Sequence, residues 1–171
     1  MKSTKRYPFL TLLQQRFQLH FDNASHFTNC PSERQFRLWA WQAIKNHYRR
    51  ADISLILLDE NEARAYNRDY RGKDYATNVL SFALNEGETL FHPQPEVLTG
   101  DLIICPAIVA KEAAEQGKSL FAHFAHLTIH GTLHLMGYDH LTDEEAEIME
   151  TLEIRLLNQL AYPNPYTQDD N

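Results

Sequence analysis

From Arg16 to Phe21 apolar and polar residues alternate, with Phe17, Leu19 and Phe21 on one side and Gln18, His20 and Asp22 on the other. A period of two predicts a half-buried strand. Asn23 to Pro31 reads as loop, and Ser32-Glu33-Arg34-Gln35 is a capping box. It opens a helix that buries Phe36, Trp39, Ile44 and Tyr48 at helical spacing. Ile53 to Leu58 is a continuous apolar run of strand length, expected to be buried. Asp59 offers the N-cap of a helix reaching about Tyr70, with Gly72 as its stop.

Asn78 to Phe82 predicts a third strand, and Asn85 to Gln94, flanked by Gly87, Pro93 and Pro95, a long loop. Asp101 to Cys105 predicts a fourth strand, with Pro106 suited to the first turn of the next helix, which ends near Gly117. An almost wholly apolar helix follows from about Ser119 to Met136. Thr142-Asp143-Glu144-Glu145 caps a last helix running to about Leu160. The pattern predicts a single α/β domain of the α+β kind over residues 1–171. It has about four strands and five or six helices. Residues 1–15 read as an N-terminal extension and 163–171 as a fraying tail.

Hydrophobic residues make up 43% of the chain and charged residues 23%, as in a soluble globular protein. Two cysteines, Cys30 and Cys105, are too few for a disulfide framework, and a reducing cytoplasm is the expected compartment. The N-terminus has no secretory pattern. Ser119 to Tyr138 carries no formal charge over twenty residues, but its four histidines argue for a buried helix rather than a membrane span. The net charge of −7 is divided unevenly: 13 basic against 7 acidic residues over 1–73, and 3 against 16 over 74–171. That split permits a local basic surface on an acidic protein. Solvated helix faces and an acidic C-terminal helix are its plainer explanation.

Five of the nine histidines fall between His123 and His140. On a helix, His123, His126, His130 and His134 share a stripe roughly 80° wide. His130 and His134, one turn apart, can point ring nitrogens at one ion. Gly137 sits where a helix commonly ends in a left-handed residue, so the chain can double back and deliver His140 as a third ligand. Three neutral imidazoles leave a fourth position open, the arrangement of a catalytic zinc, although nickel, cobalt or copper would also be accepted. Hydrolysis is the expected reaction class. Asp139 is either an acceptor for a ligand histidine's free N–H or a turn residue satisfying backbone amides. His126 and His123 either line the cleft or are buried structural histidines.

The spacing His-x3-His-x2-Gly-x2-His is shared with metzincin proteases. There a glutamate follows the first histidine and moves the proton of the attacking water; here that residue is Gly131. Loss of such a base costs about 10²–10⁴-fold in rate, so a metallopeptidase is disfavoured.

The run His130-Gly131-Thr132-Leu133-His134-Leu135-Met136-Gly137-Tyr138-Asp139-His140 resembles the motif of the bacterial YbeY-type endoribonucleases. Three further stretches carry the resemblance: Tyr70 to Asp74, Thr77 to Phe82 and Gly100 to Cys105. Ala76 and Ala83 depart from it, standing where such sequences often have proline. The resemblance implies a single domain with a mixed sheet and surrounding helices, a zincin-like metal helix, one zinc ion on the three histidines, and cleavage of single-stranded RNA. It further implies maturation of the 3′ end of 16S ribosomal RNA and late ribosome quality control. The implied partners are ribosomal RNA, the small ribosomal subunit, and a ribosomal or GTPase protein. It assigns activity to the arginine at Arg71, whose guanidinium can hold a phosphodiester in a bidentate fork. Arg64, Arg68 and Lys73 cluster with it and are expected to attract the RNA backbone. A non-catalytic ribosome-assembly factor with a structural metal is the competing reading; the open coordination position favours the enzyme.

Overall fold

The computed structural model describes residues 16–84 and 97–167. The extension expected at 1–15 and the loop expected at 85–94 lie outside the described residues. Four strands, β1 (Phe17–Asn23), β2 (Arg50–Leu57), β3 (Val79–Ala83) and β4 (Val97–Ile104), form one sheet in the order β1-β2-β4-β3. The first three in that order are mutually parallel, and β3 runs antiparallel on β4, so the sheet is mixed as expected.

Five helices are present among the described residues: α1 (Glu33–Ile44), α2 (Glu60–Arg71), α3 (Pro106–Glu115), α4 (Leu120–Leu135) and α5 (Asp143–Gln159). The capping boxes at Ser32 and Thr142 both form. Asp59 stands before α2 but makes no side-chain cap. Its carboxylate is taken instead by the backbone N–H and ring of His26. Gly72, at φ +69°, ends α2 in the left-handed region.

In β2 the apolar run does not bury evenly. Ala51, Ile53, Leu55 and Leu57 face the main core, while Ser54 and Ile56 are only half-buried on the other face. There Ile56 joins a smaller cluster with Leu58, Leu80, Ile103 and Phe82. Helix α4 is the centre of the main layer. Phe124, Ala125, Ile129 and Leu133 are fully buried, and Phe124 meets Phe36 of α1 edge to face at 5.9 Å.

Helix α4 approaches the sheet through glycines. A Cβ on Gly131 would lie 3.0 Å from Leu102 and from Val79, and one on Gly100 would lie 2.7 Å from Leu135. Missing side chains therefore set how close the histidine-bearing helix comes to β3 and β4. The stretch after Pro163, read from the sequence as fraying, is seated as far as Thr167. Lys118 Nζ donates to the Pro165 carbonyl, and Pro165 is buried.

Candidate metal centre

Helix α4 presents His130 and His134 from consecutive turns, with their Nε2 atoms 3.1 Å apart. The helix then closes in a Schellman arrangement: Gly137 N–H donates to the His134 carbonyl and Tyr138 N–H to that of Leu133. Gly137 has φ +95°, a conformation that glycine adopts at low cost. The reversal brings His140 back over the helix. Its ring centroid lies 5.6 Å from that of His130 and 5.1 Å from that of His134. One nitrogen from each ring falls within 4.8 Å of the others, so these three residues could hold a metal ion. Two nitrogens on a tetrahedral zinc at about 2.0–2.1 Å would lie about 3.3 Å apart, close to the His130–His134 separation.

The feature absent from the sequence reading is Glu153. On α5 it is fully buried. One carboxylate oxygen is 2.6 Å from His130 Nδ1 and the other 2.8 Å from His126 Nε2. The hydroxyl of Tyr166 donates to the same carboxylate. A carboxylate accepts, so the facing ring nitrogens carry protons. His130 is thereby held with its proton on Nδ1 and a free lone pair on Nε2, the atom turned toward His134. Metal-ligating histidines commonly have this arrangement. His126, His130 and Glu153 also lie close enough to count as a ligand group. Their separations are hydrogen-bond lengths, however, shorter than those between two ligands on one zinc.

Burial pushes the Glu153 carboxyl up, but hydrogen bonds from His126 and His130 pull harder and hold it down at about 2. Its charge is therefore permanent near neutrality. Burial also lowers His134, and the neighbouring His130 and His140 rings add to this, bringing it to about 4. A neutral imidazole is the form that binds metal. Burial of the Tyr166 phenol and its bond to Glu153 raise its ionisation well above the ordinary range, so it stays a donor.

The other expected residues separate into groups. Asp139 accepts the backbone N–H of His140 at 2.8 Å and so shapes the turn; the carboxylate on His130 is that of Glu153. His126 is buried behind His130 and linked to it through Glu153. His123 is turned away to Glu112 at 2.8 Å. Gly131 faces β3 and β4 and receives a hydrogen bond from Ser81 on its carbonyl. A glutamate at that position has no space.

Arg64 is paired with Asp74 through two hydrogen bonds of 2.8 Å, and Arg68 with Asp69. Arg71 and Lys73 are exposed, and among the described residues neither side chain has a hydrogen bond or ion pair. Arg71 ends α2, and Tyr70 beside it packs on Phe82 of β3, the strand whose Ser81 holds Gly131. No hydrogen bond joins Arg71 to the histidines.

Glu153 did leave a trace in the sequence. Met149, Leu152, Leu156 and Leu157 mark the buried stripe of α5, and Glu153 lies on that stripe. A charge on the apolar side of an amphipathic helix calls for a buried partner. The partner is 23 residues away in the chain, so the spacing alone does not name it.

The family model described as Endoribonuclease YbeY matches residues 21–161. A protein of Neisseria meningitidis serogroup B named Endoribonuclease YbeY is 72% identical over 169 residues, covering 99% of this chain and all of that one. A Chromobacterium violaceum protein of the same name is 48% identical over 169 residues, 99% of each chain. The solution structure of a Thermotoga maritima protein superposes with a TM-score of 0.54 at 21% identity, covering 90% of this chain and 99% of that one. That likeness supports the fold alone.

Proposed function

The chain belongs to the YbeY endoribonuclease family, and we propose that it cleaves single-stranded RNA with one zinc ion held by His130, His134 and His140. The observation that carries this reading is the convergence of three imidazoles backed by the Glu153 carboxylate. Zinc at such a site polarises a phosphate oxygen and makes water more acidic.

The protein's own residues supply the rest. Glu153 keeps the proton of His130 on Nδ1, and Tyr166 and His126 keep Glu153 in place. Arg71, at the end of α2 and without a partner among the described residues, holds the non-bridging oxygens of the phosphodiester as charge develops on them. Lys73 adds to the attraction of the RNA backbone, and Arg64 and Arg68 contribute less because Asp74 and Asp69 neutralise them. The natural substrate is ribosomal RNA of the small subunit, cut in maturing the 16S 3′ end and in late ribosome quality control. The work is cytoplasmic, with a ribosomal or GTPase protein as partner. No helix among the described residues is long and apolar enough to cross a membrane.

The test is cleavage of a single-stranded RNA with and without chelator, comparing wild type with His134→Ala prepared identically. Cleavage by wild type that chelator stops and the variant lacks supports the reading. Equal cleavage by both proteins assigns the activity to a contaminant and removes the metal from the mechanism.

A further inference from the structure

The outer face of α2 carries a feature that metal chemistry does not use. Tyr66 and Tyr70 stack nearly parallel, with ring planes 12° apart and centroids 5.9 Å apart. Tyr70 is 68% exposed, and Tyr75 just beyond the helix is 54% exposed. Large aromatic rings left in water at this density call for an occupant. Tyr70 is nevertheless held firmly, packed on Phe82 at 5.3 Å with the ring planes 66° apart and stacked on Tyr66.

The charge around these rings identifies that occupant. From Arg64 to Tyr75 there are four basic residues and two acidic ones, in a protein whose net charge is −7. Asp74 and Asp69 are consumed by Arg64 and Arg68, leaving Arg71 and Lys73 without partners among the described residues. Flat exposed rings interleaved with unpaired cations bind unpaired nucleobases by stacking while the cations meet phosphates. An edge strand connects this surface to the helix that carries the histidines. Strand β3 is at the edge of the sheet, with Phe82 under Tyr70 on one face and Ser81 bonded to the metal helix on the other.

We propose that Tyr70, extended by Tyr66, is a stacking platform for an unpaired base of the RNA, one edge strand away from the metal centre. The proposal rests on the RNA reading above and deepens it. Tyr70 sets how the strand is held, and Arg71 beside it meets the adjoining phosphate.

The experiment measures binding of full-length protein to a fluorescent single-stranded oligoribonucleotide and to the same backbone lacking bases. Tyr70→Ala is expected to weaken binding to the ordinary oligonucleotide about tenfold, with Tyr70→Phe and Tyr70→Trp restoring it. The baseless strand should bind wild type and Tyr70→Ala equally. Metal content and thermal midpoint of the variants report that the fold is intact. If wild type binds and cleaves RNA and Tyr70→Ala binds it equally well, the platform is refuted, the face serves another partner, and the functional reading stands. If wild type neither binds nor cleaves RNA, the functional reading fails and this inference with it.

Discussion

The carboxylate of Glu153 lies 2.6 Å from Nδ1 of His130, from a helix that contributes none of the three converging imidazoles. The contact fixes which ring nitrogen carries the proton and therefore which one can face a metal. Glu153→Gln preserves shape but replaces one acceptor oxygen with an N–H donor. It should weaken zinc binding about 10–100-fold, measured by competition with a chromophoric chelator. Affinity equal to wild type would show that Glu153 only fills space.

The purified protein should contain about one zinc per chain. Each of His130→Ala, His134→Ala and His140→Ala should lose most of it by elemental analysis. Full occupancy in all three would require the metal to lie elsewhere.

Arg71→Glu should keep the metal and the thermal midpoint, because Arg71 is exposed and unpaired among the described residues. It should lose RNA cleavage, by about 10²-fold or more if the guanidinium stabilises the transferring phosphate. Wild-type rates in this variant would remove Arg71 from the mechanism.

Gly131→Glu would restore the base of a peptidase motif on paper. The structure predicts failure instead, since even a Cβ meets Leu102 and Val79 at 3.0 Å and Ser81 at 3.1 Å. Overpacking with a buried charge should cost about 3 kcal/mol or more. Denaturant unfolding would show this, and a stable Gly131→Glu protein would contradict the packing described.

The metal-free protein should lose stability as pH falls from about 6.5 toward 4. In the unfolded chain His134 takes up a proton near its ordinary value, whereas the folded imidazole resists until about 4. The unfolded state thus binds more protons across that window, and stability declines as pH falls. His134→Gln should flatten this slope in thermal melts between pH 7 and 4. An unchanged slope would place the effect on other groups.

How much of this was legible beforehand differs from residue to residue. The strands, the helices and both capping boxes follow from local rules, because caps and periodicity act within a few residues. His130 and His134 were readable because a helix fixes their geometry, and His140 because Gly137 announces the reversal. Asp59 takes the N-cap position of α2 as its place in the sequence predicts, but its carboxylate turns to His26, 33 residues distant, which no local rule names.

The chain by itself therefore determined the architecture and the convergence of His130, His134 and His140, both written in spacings shorter than a few helical turns. The tertiary structure decided who stands behind these histidines. Glu153 reaches His130 only when α5 packs on α4, and Tyr166 reaches Glu153 only when the segment after Pro163 folds back. It also decided which cations are left over: Arg64 and Arg68 find carboxylates, while Arg71 and Lys73 find none among the described residues. Periodicity records which face of an element is apolar. Which polar group meets which across that face depends on packing between distant segments.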